Sequence, residues 1–153
     1  MARFRYSVED FTAQRSMGFI LHRAQKLVRQ CVERVFDRRK LKLSQWIALT
    51  LLGEGVVSTP GEIADKPGHD TGATTRLLDQ LQNEGFIERD RKDHDRRIVC
   101  VSLTQSGRSA IDALLPSMVD AWNDILKEFD REEVETLIGL LTRLIRRLDR
   151  NDI

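Results

Sequence analysis

The chain contains few of the residues that mark metal sites, disulfide frameworks and membrane spans. Among its 153 residues there are only two cysteines, three histidines and three prolines. Cys31 and Cys100 lie in patterned segments without metal-site spacing, so we expect two reduced thiols buried in the core. The longest nearly uninterrupted apolar run, Trp46 to Leu52, is far too short to cross a bilayer. No signal segment opens the chain either, so we expect a cytoplasmic protein without a membrane partner.

The sequence also lacks the residue groupings that metal binding and catalysis require. The three histidines, His22, His69 and His94, fall in different predicted elements and have no partner at metal-ligand spacing. No serine or cysteine occupies a recognisable nucleophile turn. We therefore predict no metal, no cofactor and no enzymatic activity. A thiol redox switch at Cys31 or Cys100 remains an alternative, which requires an exposed and reactive thiol.

Charge is nearly balanced over the whole chain, at a net +1, but it is unevenly distributed. Residues 1–40 carry ten Lys/Arg against four Asp/Glu, whereas residues 109–153 carry six against ten. An acidic C-terminal segment is poorly suited to phosphates, so any DNA contact must come from local basic clusters. The length and the 41% apolar composition predict one domain over residues 1–153.

Apolar residues recur three or four positions apart through both ends of the chain, which predicts amphipathic helices. The first runs from Met17 to Phe36. A second, buried helix covers Gln45 to Leu52, with Ser44 as its cap and Gly53 as its stop; the segment up to Ser58 is either a loop or a short strand. Two further helices follow near the C-terminus. Thr104 caps the first, which Pro116 should break or bend before it ends near Glu128, and Asp130 with Glu133 caps the last.

The middle of the chain predicts two short helices separated by a tight turn. Thr59-Pro-Gly-Glu62 combines a hydroxyl cap, a proline at the first helical position and a glutamate three residues after the cap. Pro67-Gly68 must end that helix, and Asp70 then caps a second one that stops at Gly85. In this second helix Leu77, Leu78 and Leu81 share one face, which is the layout of a helix-turn-helix.

From Gly85 to Gly107, two short strand patterns enclose a run of charged residues. This pattern predicts a β-hairpin with a solvent-facing, charged tip directly after the second helix. A helix followed by a basic hairpin is the arrangement of a winged helix-turn-helix. We therefore predict a mainly α fold with a small β-hairpin wing, in which the winged lobe covers about residues 41–107.

The terminal helices, about residues 16–40 and 105–149, carry more apolar surface than one small winged-helix core can cover. A second copy of the chain, related by a two-fold axis, is the simplest partner for this surplus. The alternative is a monomer whose terminal helices fold back on its own core.

Three motifs in this order resemble the MarR family of bacterial transcriptional regulators, over about residues 17–148. They are Thr-Arg-Leu-Leu-Asp-x-Leu at 75 to 81, the pair Asp95-x-Arg97, and Leu103-Thr104-x-x-Gly107. The resemblance implies a homodimer with intertwined terminal helices and two winged lobes on one double-stranded, pseudo-palindromic DNA operator. Pro67 departs from the family pattern, which usually has an apolar helix former there, and this puts the geometry of the turn in doubt.

Arg76 lies on the face opposite Leu77 and Leu81, where its guanidinium could donate two hydrogen bonds to a guanine in the major groove. The resemblance also implies that Asp95 braces Arg97 as it enters the minor groove. The alternative is that these charges only keep an exposed turn soluble. The full set of predicted DNA contacts is Thr59, Thr71, Gly72, Thr75, Arg76, Gln80, Arg91, Lys92, Arg96 and Arg97.

The resemblance further implies a small aromatic or phenolic effector that binds between the dimerisation helices and the DNA-binding lobe. His22 and Trp46 are the candidate ligand-binding residues, since the indole offers a stacking face and the imidazole a polar edge. An alternative interpretation makes Trp46 simply a core residue. Beyond a ligand-released repressor, two other functions stay open: the thiol redox sensor, and a winged-helix protein-interaction module that does not bind DNA.

Overall fold

A computed structural model describes residues 4–37, 40–65, 71–92 and 95–149, without the side chains of residues 71, 91, 92 and 95–98. The predicted turn residues Pro67, His69 and Asp70, as well as His94, lie outside the described residues. In the described residues, one β-hairpin lies between four preceding helices and two following helices, as the sequence predicted. The elements are α1 (Met17–Glu33), α2 (Leu43–Gly53), α3 (Pro60–Ala64), α4 (Thr71–Asn83), β1 (Ile87–Lys92), β2 (Asp95–Leu103), α5 (Gln105–Ile125) and α6 (Arg131–Asp149).

Helix α1 is followed by a single 3₁₀ turn, Arg34–Phe36, so the regular helix ends three residues before the predicted Phe36. Val32 and Phe36 are its buried contacts with the core, and Val28 packs partly against them. Cys31 does not lie on the same helix face as these residues, and its side chain is exposed. The prediction of two core thiols is therefore wrong for Cys31; Cys100 is half-buried.

Helix α2 begins and ends at residues other than those predicted. Lys42 is the N-cap instead of Ser44, and its amide donates to the side-chain oxygen of Gln45 at 2.9 Å. The helix also continues through Gly53 and ends in a left-handed turn at Gly55, where φ is 70°. At this turn the amide of Val56 donates to the carbonyl of Leu51 at 3.0 Å. Only the second glycine has the left-handed conformation that closes a helix, which explains the shift.

Helix α3 starts at the predicted capping box. The amide of Glu62 donates to the Thr59 hydroxyl at 3.3 Å, and the Glu62 carboxylate accepts from the Thr59 amide at 3.0 Å. Ile63 is fully buried below this turn. The undecided segment before it is a loop with one strand-like hydrogen bond, from the Val101 amide in β2 to the Ser58 carbonyl at 2.8 Å.

Helix α4 packs its leucines into the core, as predicted. Leu77, Leu78 and Leu81 are all buried, and the helix ends at Asn83, two residues before the predicted stop Gly85, where φ is 74°. The Phe86 amide donates back to the Leu81 carbonyl at 2.9 Å, which completes a left-handed helix stop.

Strands β1 and β2 form the predicted antiparallel hairpin. Ile87 pairs with Leu103 at its base, Asp90 pairs with Cys100, and the register shifts between Arg91 and Lys92. The hairpin therefore starts directly from the end of α4 and leads directly into α5.

Helix α5 has the predicted cap, since the Gly107 amide donates to the Thr104 hydroxyl at 3.1 Å. It passes through Pro116 without interruption and ends at Ile125, so of the predicted break or bend at the proline the break is wrong, and the predicted end near Glu128 is three residues too late. Leu114 and Met118, on either side of the proline, are both buried, and their packing holds the two halves of the helix in place.

Helix α6 starts at the predicted pair, in which the Glu133 amide donates to Asp130 at 2.9 Å and the Asp130 amide donates to Glu133 at 3.0 Å. None of its residues is buried in the single chain. Within the described part of the chain, no helix is long and apolar enough to cross a membrane. The core lies instead beneath α2, α4 and the base of the hairpin, while α6 projects an apolar stripe into solvent.

Candidate nucleic-acid interface

One face of α4 presents small and polar groups above a buried apolar face. Gly72, Thr75, Arg76 and Gln80 are exposed, and we refer to these four residues as the recognition face. Their exposure follows from helical geometry, because Leu77, Leu78 and Leu81 anchor the opposite side in the core. The backbone of Thr71 begins the same helix, but its side chain is outside the described set. Four of the predicted contacts are thus brought together on one surface.

Arg76 is the cation of the recognition face, and within the described residues it forms no salt bridge. An exposed guanidinium on a helix face of small residues can approach a base edge closely and donate two parallel hydrogen bonds. Gln80 lies four residues later, so it is one turn further along the same side of the helix. The two side chains therefore lie on the same side of α4.

Thr59 lies at the start of α3 and is half-buried. Its hydroxyl already accepts a hydrogen bond from the Glu62 amide, so its side chain acts as the N-cap of α3. The Glu62 carboxylate accepts hydrogen bonds from the Ser58 amide at 2.6 Å, the Ser58 hydroxyl at 3.1 Å and the Thr59 amide. These bonds, above all the one from the Ser58 amide, lower the pKa of Glu62 below its ordinary value of 4.5.

Most of the predicted wing contacts lie near the tip of the hairpin. Lys92 and Asp95 pair across the tip, so the strand backbone places the basic cluster at the far end of the hairpin from α5. The side chains of Arg91, Lys92, Arg96 and Arg97 lie outside the described set, as does that of Asp95. Their contacts, including the bracing of Arg97 by Asp95, remain predictions from the sequence.

Sequence reasoning missed an ion pair that joins the helix to the wing. The Nη2 atom of Arg89 in β1 lies 2.8 Å from Oδ1 of Asp79 in α4. The signal available in the sequence was weak, because Arg89 is one charge among many in the hairpin and lies ten residues from its partner. The pair connects the two elements that would contact DNA.

A cavity of about 390 Å³ opens between α1, α2 and α5. Its volume falls in the range of small-molecule sites. Trp46, one of the two residues predicted for an effector site, lines this cavity. His22, the other, is exposed on α1 and is not among the lining residues, which are Gln25, Val28, Arg29, Val32, Leu43, Ser44, Trp46, Ile47, Met118 and Trp122.

Two lining residues that the sequence analysis missed give this cavity its chemical character. Trp122 supplies a second indole, and Arg29 supplies a cation that forms a 2.8 Å ion pair with Glu33. Trp122 and Trp46 are the only two tryptophans of the chain, which was a usable hint. The indole Nε1 atom of Trp46 is buried without a hydrogen-bond partner among the described residues. The cavity therefore combines aromatic walls, one cation and one unpaired donor.

Comparison with known proteins gives a match to the family model described as MarR family, over residues 41–99. The uncharacterized HTH-type transcriptional regulator YwhA of Bacillus subtilis is 35% identical over 72 residues, which are 47% of this chain and 52% of that protein. The chain thus aligns with only about half of that relative's length. The transcriptional repressor MprA of Escherichia coli is 28% identical, over 97% of this chain and 87% of the relative.

Among solved structures, a cysteine-to-serine mutant of MarR from Escherichia coli in complex with operator DNA has a TM-score of 0.71 and 25% identity. The match covers 84% of this chain and 92% of that one. The similarity confirms the predicted mainly α fold with a winged helix-turn-helix. Both curated relatives are named as transcriptional regulators, which agrees with the prediction of no enzymatic activity.

Proposed function

We propose that this chain, whose residues 41–99 match the MarR family model, is a sequence-specific, DNA-binding transcriptional repressor that acts as a homodimer and is released by a small aromatic or phenolic ligand. The observation that carries the proposal is the recognition face of α4, with Arg76 exposed beside small side chains and next to a basic hairpin. A bacterial relative of similar fold has been solved with operator DNA, which supports the same use of this surface.

On this proposal α4 enters the major groove and reads bases directly. Arg76 donates to the O6 and N7 atoms of a guanine, and Gln80, one turn further along, pairs with the N6 and N7 atoms of an adenine. Gly72 and Thr75 are small enough to let the helix approach the base edges. Each good bidentate contact contributes about 1–3 kcal/mol of discrimination against the wrong base.

The wing supplies the second part of the contact. Arg97 reaches the minor groove, where a narrow width favours arginine, and Asp95 holds it extended. Arg91, Lys92 and Arg96 contact phosphates, which positions the protein without reading sequence. Thr59 and Thr71, at the starts of α3 and α4, contact the DNA backbone near the two helix N-termini.

The homodimer is supported by the surface area of the single chain. A compact monomer of 17.7 kDa exposes about 7,900 Å². This chain exposes 12365 Å², an excess of about 4,400 Å², whereas a large obligate interface takes about 1,000–2,500 Å² from each partner, so the excess is more than enough for one such interface. Part of this exposed surface is an apolar row on α6, which consists of Leu137, Ile138, Leu140, Ile145 and Leu148. A second copy, packed about a two-fold axis, would cover this row.

The effector would occupy the cavity between α1, α2 and α5. Trp46 and Trp122 can stack on an aromatic ring, and Arg29 can bind a carboxylate or phenolate once it exchanges Glu33 for the ligand. We assign to Arg29 the polar contact with the ligand that was predicted for His22, because His22 does not line the cavity. The ligand class is therefore a small aromatic anion. Its binding would shift α5 against α2 and so change the spacing of the two α4 helices.

An enrichment experiment tests the DNA-binding part. The protein is incubated with a random duplex library, and bound DNA is recovered, sequenced and measured for affinity. We expect a pseudo-palindrome whose half-sites lie about 10 base pairs apart, because two lobes related by a two-fold axis meet one face of the duplex. A library that stays random after repeated rounds would contradict DNA reading and favour the protein-interaction module.

A thermal-shift experiment tests the effector part. Benzoate or salicylate should raise the unfolding midpoint, because a ligand that binds only the native state stabilises it. Cyclohexanol, which has no charge and no aromatic ring, serves as the matched negative ligand. The Arg29→Gln variant should lose most of the response to benzoate while keeping the wild-type midpoint without ligand. Equal responses in wild type and variant would remove Arg29 from the site.

A further inference from the structure

The Asp79–Arg89 ion pair spans the two DNA-reading elements. Asp79 is on α4, three residues after Arg76, and Arg89 is on β1. The Asp79 side chain is 54% exposed, whereas that of Arg89 is only 23% exposed. An ion pair so close to solvent contributes little to stability by itself. Its position suggests a role other than stability.

Asp79 has a second possible partner on its own helix. Residues three apart on a helix are neighbours on its surface, so the Asp79 carboxylate is within reach of the Arg76 guanidinium. An Arg76 that is paired with this carboxylate cannot present its two donors to a base. An unpaired carboxylate at this position would also repel DNA phosphates. The direction of Asp79 thus decides whether Arg76 is available.

Arg89 is poorly placed to contact DNA itself. Most of its side chain is covered, and its Nε atom is buried without a partner among the described residues. The Nη2 atom that reaches Asp79 is the group that the fold directs towards α4. The guanidinium is therefore held in place by packing and directed at the carboxylate.

We propose that Arg89 is a positioning residue for DNA reading, which holds the Asp79 carboxylate away from Arg76 and so leaves Arg76 free to contact a base. This inference rests on the proposed DNA-binding function and adds a residue to it that touches no DNA. Arg89 acts only through Asp79, so removal of the Asp79 charge makes Arg89 dispensable. That dependence separates the proposal from a direct phosphate contact.

The test measures the affinity of four variants for one duplex, enriched from a random library by the wild-type protein. Arg89→Gln should weaken binding by roughly tenfold, because it releases a carboxylate beside both Arg76 and the phosphates. Asp79→Asn should bind within about threefold of wild type, since this variant has no Asp79 carboxylate that could pair with Arg76 or repel phosphates. The double variant Asp79→Asn, Arg89→Gln should recover most of the loss, and Arg89→Lys, which keeps the positive charge, should stay near wild type.

Two further readouts exclude a merely structural role. Arg89→Gln should lose preference at the same base pair as Arg76→Ala. The slope of log affinity against log salt concentration should not decrease in magnitude by about one unit, which is the change expected for a lost phosphate contact. A loss in Arg89→Gln that Asp79→Asn fails to rescue would overturn the proposal, as would wild-type affinity in Arg89→Gln. If Arg89→Gln does not fold, Asp79→Asn still decides, because a large loss of affinity in that variant would show that the pair holds α4 in place. Failure of the wild type to enrich any duplex would instead refute the proposed function.

Discussion

Thr104 is tied to Gly85: its hydroxyl donates a 2.7 Å hydrogen bond to the Gly85 carbonyl. The same hydroxyl accepts the Gly107 amide, and the Thr104 amide donates to the Phe86 carbonyl at 3.1 Å. One threonine therefore caps α5, closes the base of the hairpin and holds the C-terminal end of α4. Because α5 also lines the cavity, this threonine joins a cavity-lining helix to the end of α4.

The first prediction concerns the close approach at this junction. A Cβ atom at Gly107 would clash with the Phe86 carbonyl oxygen, which no side chain can tolerate without a backbone shift. Gly107→Ala should lower the free energy of unfolding by about 1–3 kcal/mol, the usual range for overpacking. Urea unfolding followed by circular dichroism measures the change.

Gly61→Ala is the matched control, because a Cβ at Gly61 meets no atom within 4 Å and the residue lies in the first turn of α3. It should leave stability unchanged or raise it by up to about 1 kcal/mol through helix propensity. Equal stabilities of the two variants would show that α5 can move away from Phe86 at little cost.

Much of the fold was predictable because the signals that start and end its helices involve residues close together in sequence. The capping boxes at Thr59 and Asp130 and the glycine stop at Gly85 depend on residues a few positions apart, and all three are present. The same is true of the recognition face, since the buried leucines of α4 fix which side is exposed. Helical periodicity was sufficient to place Arg76 and Gln80 on the outer surface.

The errors arose where tertiary contacts decide between local alternatives. Both Gly53 and Gly55 could end α2, and the sequence does not tell which adopts a positive φ. Pro116 does not interrupt α5, because buried neighbours hold the helix together on both sides. The Asp79–Arg89 pair and the Arg29 side of the cavity bring together residues from separate elements, for which a single sequence carries no spacing rule.

The second prediction follows from the lowered pKa of Glu62. Its carboxylate is stabilised in the folded state, mainly by the Ser58 amide, so its contribution to stability is complete above the unfolded pKa and is lost as pH falls through the folded pKa. Unfolding measured from neutral pH to well below 4.5 should therefore show a loss of stability that Glu62→Gln reduces. Glu135→Gln, at an exposed site of α6, is the control. Parallel pH profiles for Glu62→Gln and wild type would refute this role.

The third prediction tests the dimer through α6. Ile145 is 55% exposed in the single chain, so an aspartate there removes little internal packing but places a charge in the proposed interface. Ile145→Asp should halve the mass measured by light scattering, or unfold a chain that cannot exist alone. Aspartate substitutions at Leu141 and Leu144, which are partly covered, should disrupt the dimer at least as strongly. Arg146→Asp, exposed on the same helix, should keep the wild-type mass. An unchanged mass in Ile145→Asp would place the interface elsewhere.

The last prediction is that the two reading arginines fail in different ways. Arg76→Ala should cost about 1–3 kcal/mol of binding free energy and relax preference at one base pair of each half-site, since a bidentate contact is lost. Arg97→Ala should weaken binding with little change in major-groove preference. Asp95→Ala should weaken it too if the carboxylate holds Arg97 extended, because a carboxylate near DNA otherwise only repels phosphate. Titration of operator variants against the three proteins distinguishes these effects. Tighter binding by Asp95→Ala would refute the bracing role, and unchanged affinity in Arg97→Ala would leave the wing tip as a solvated turn.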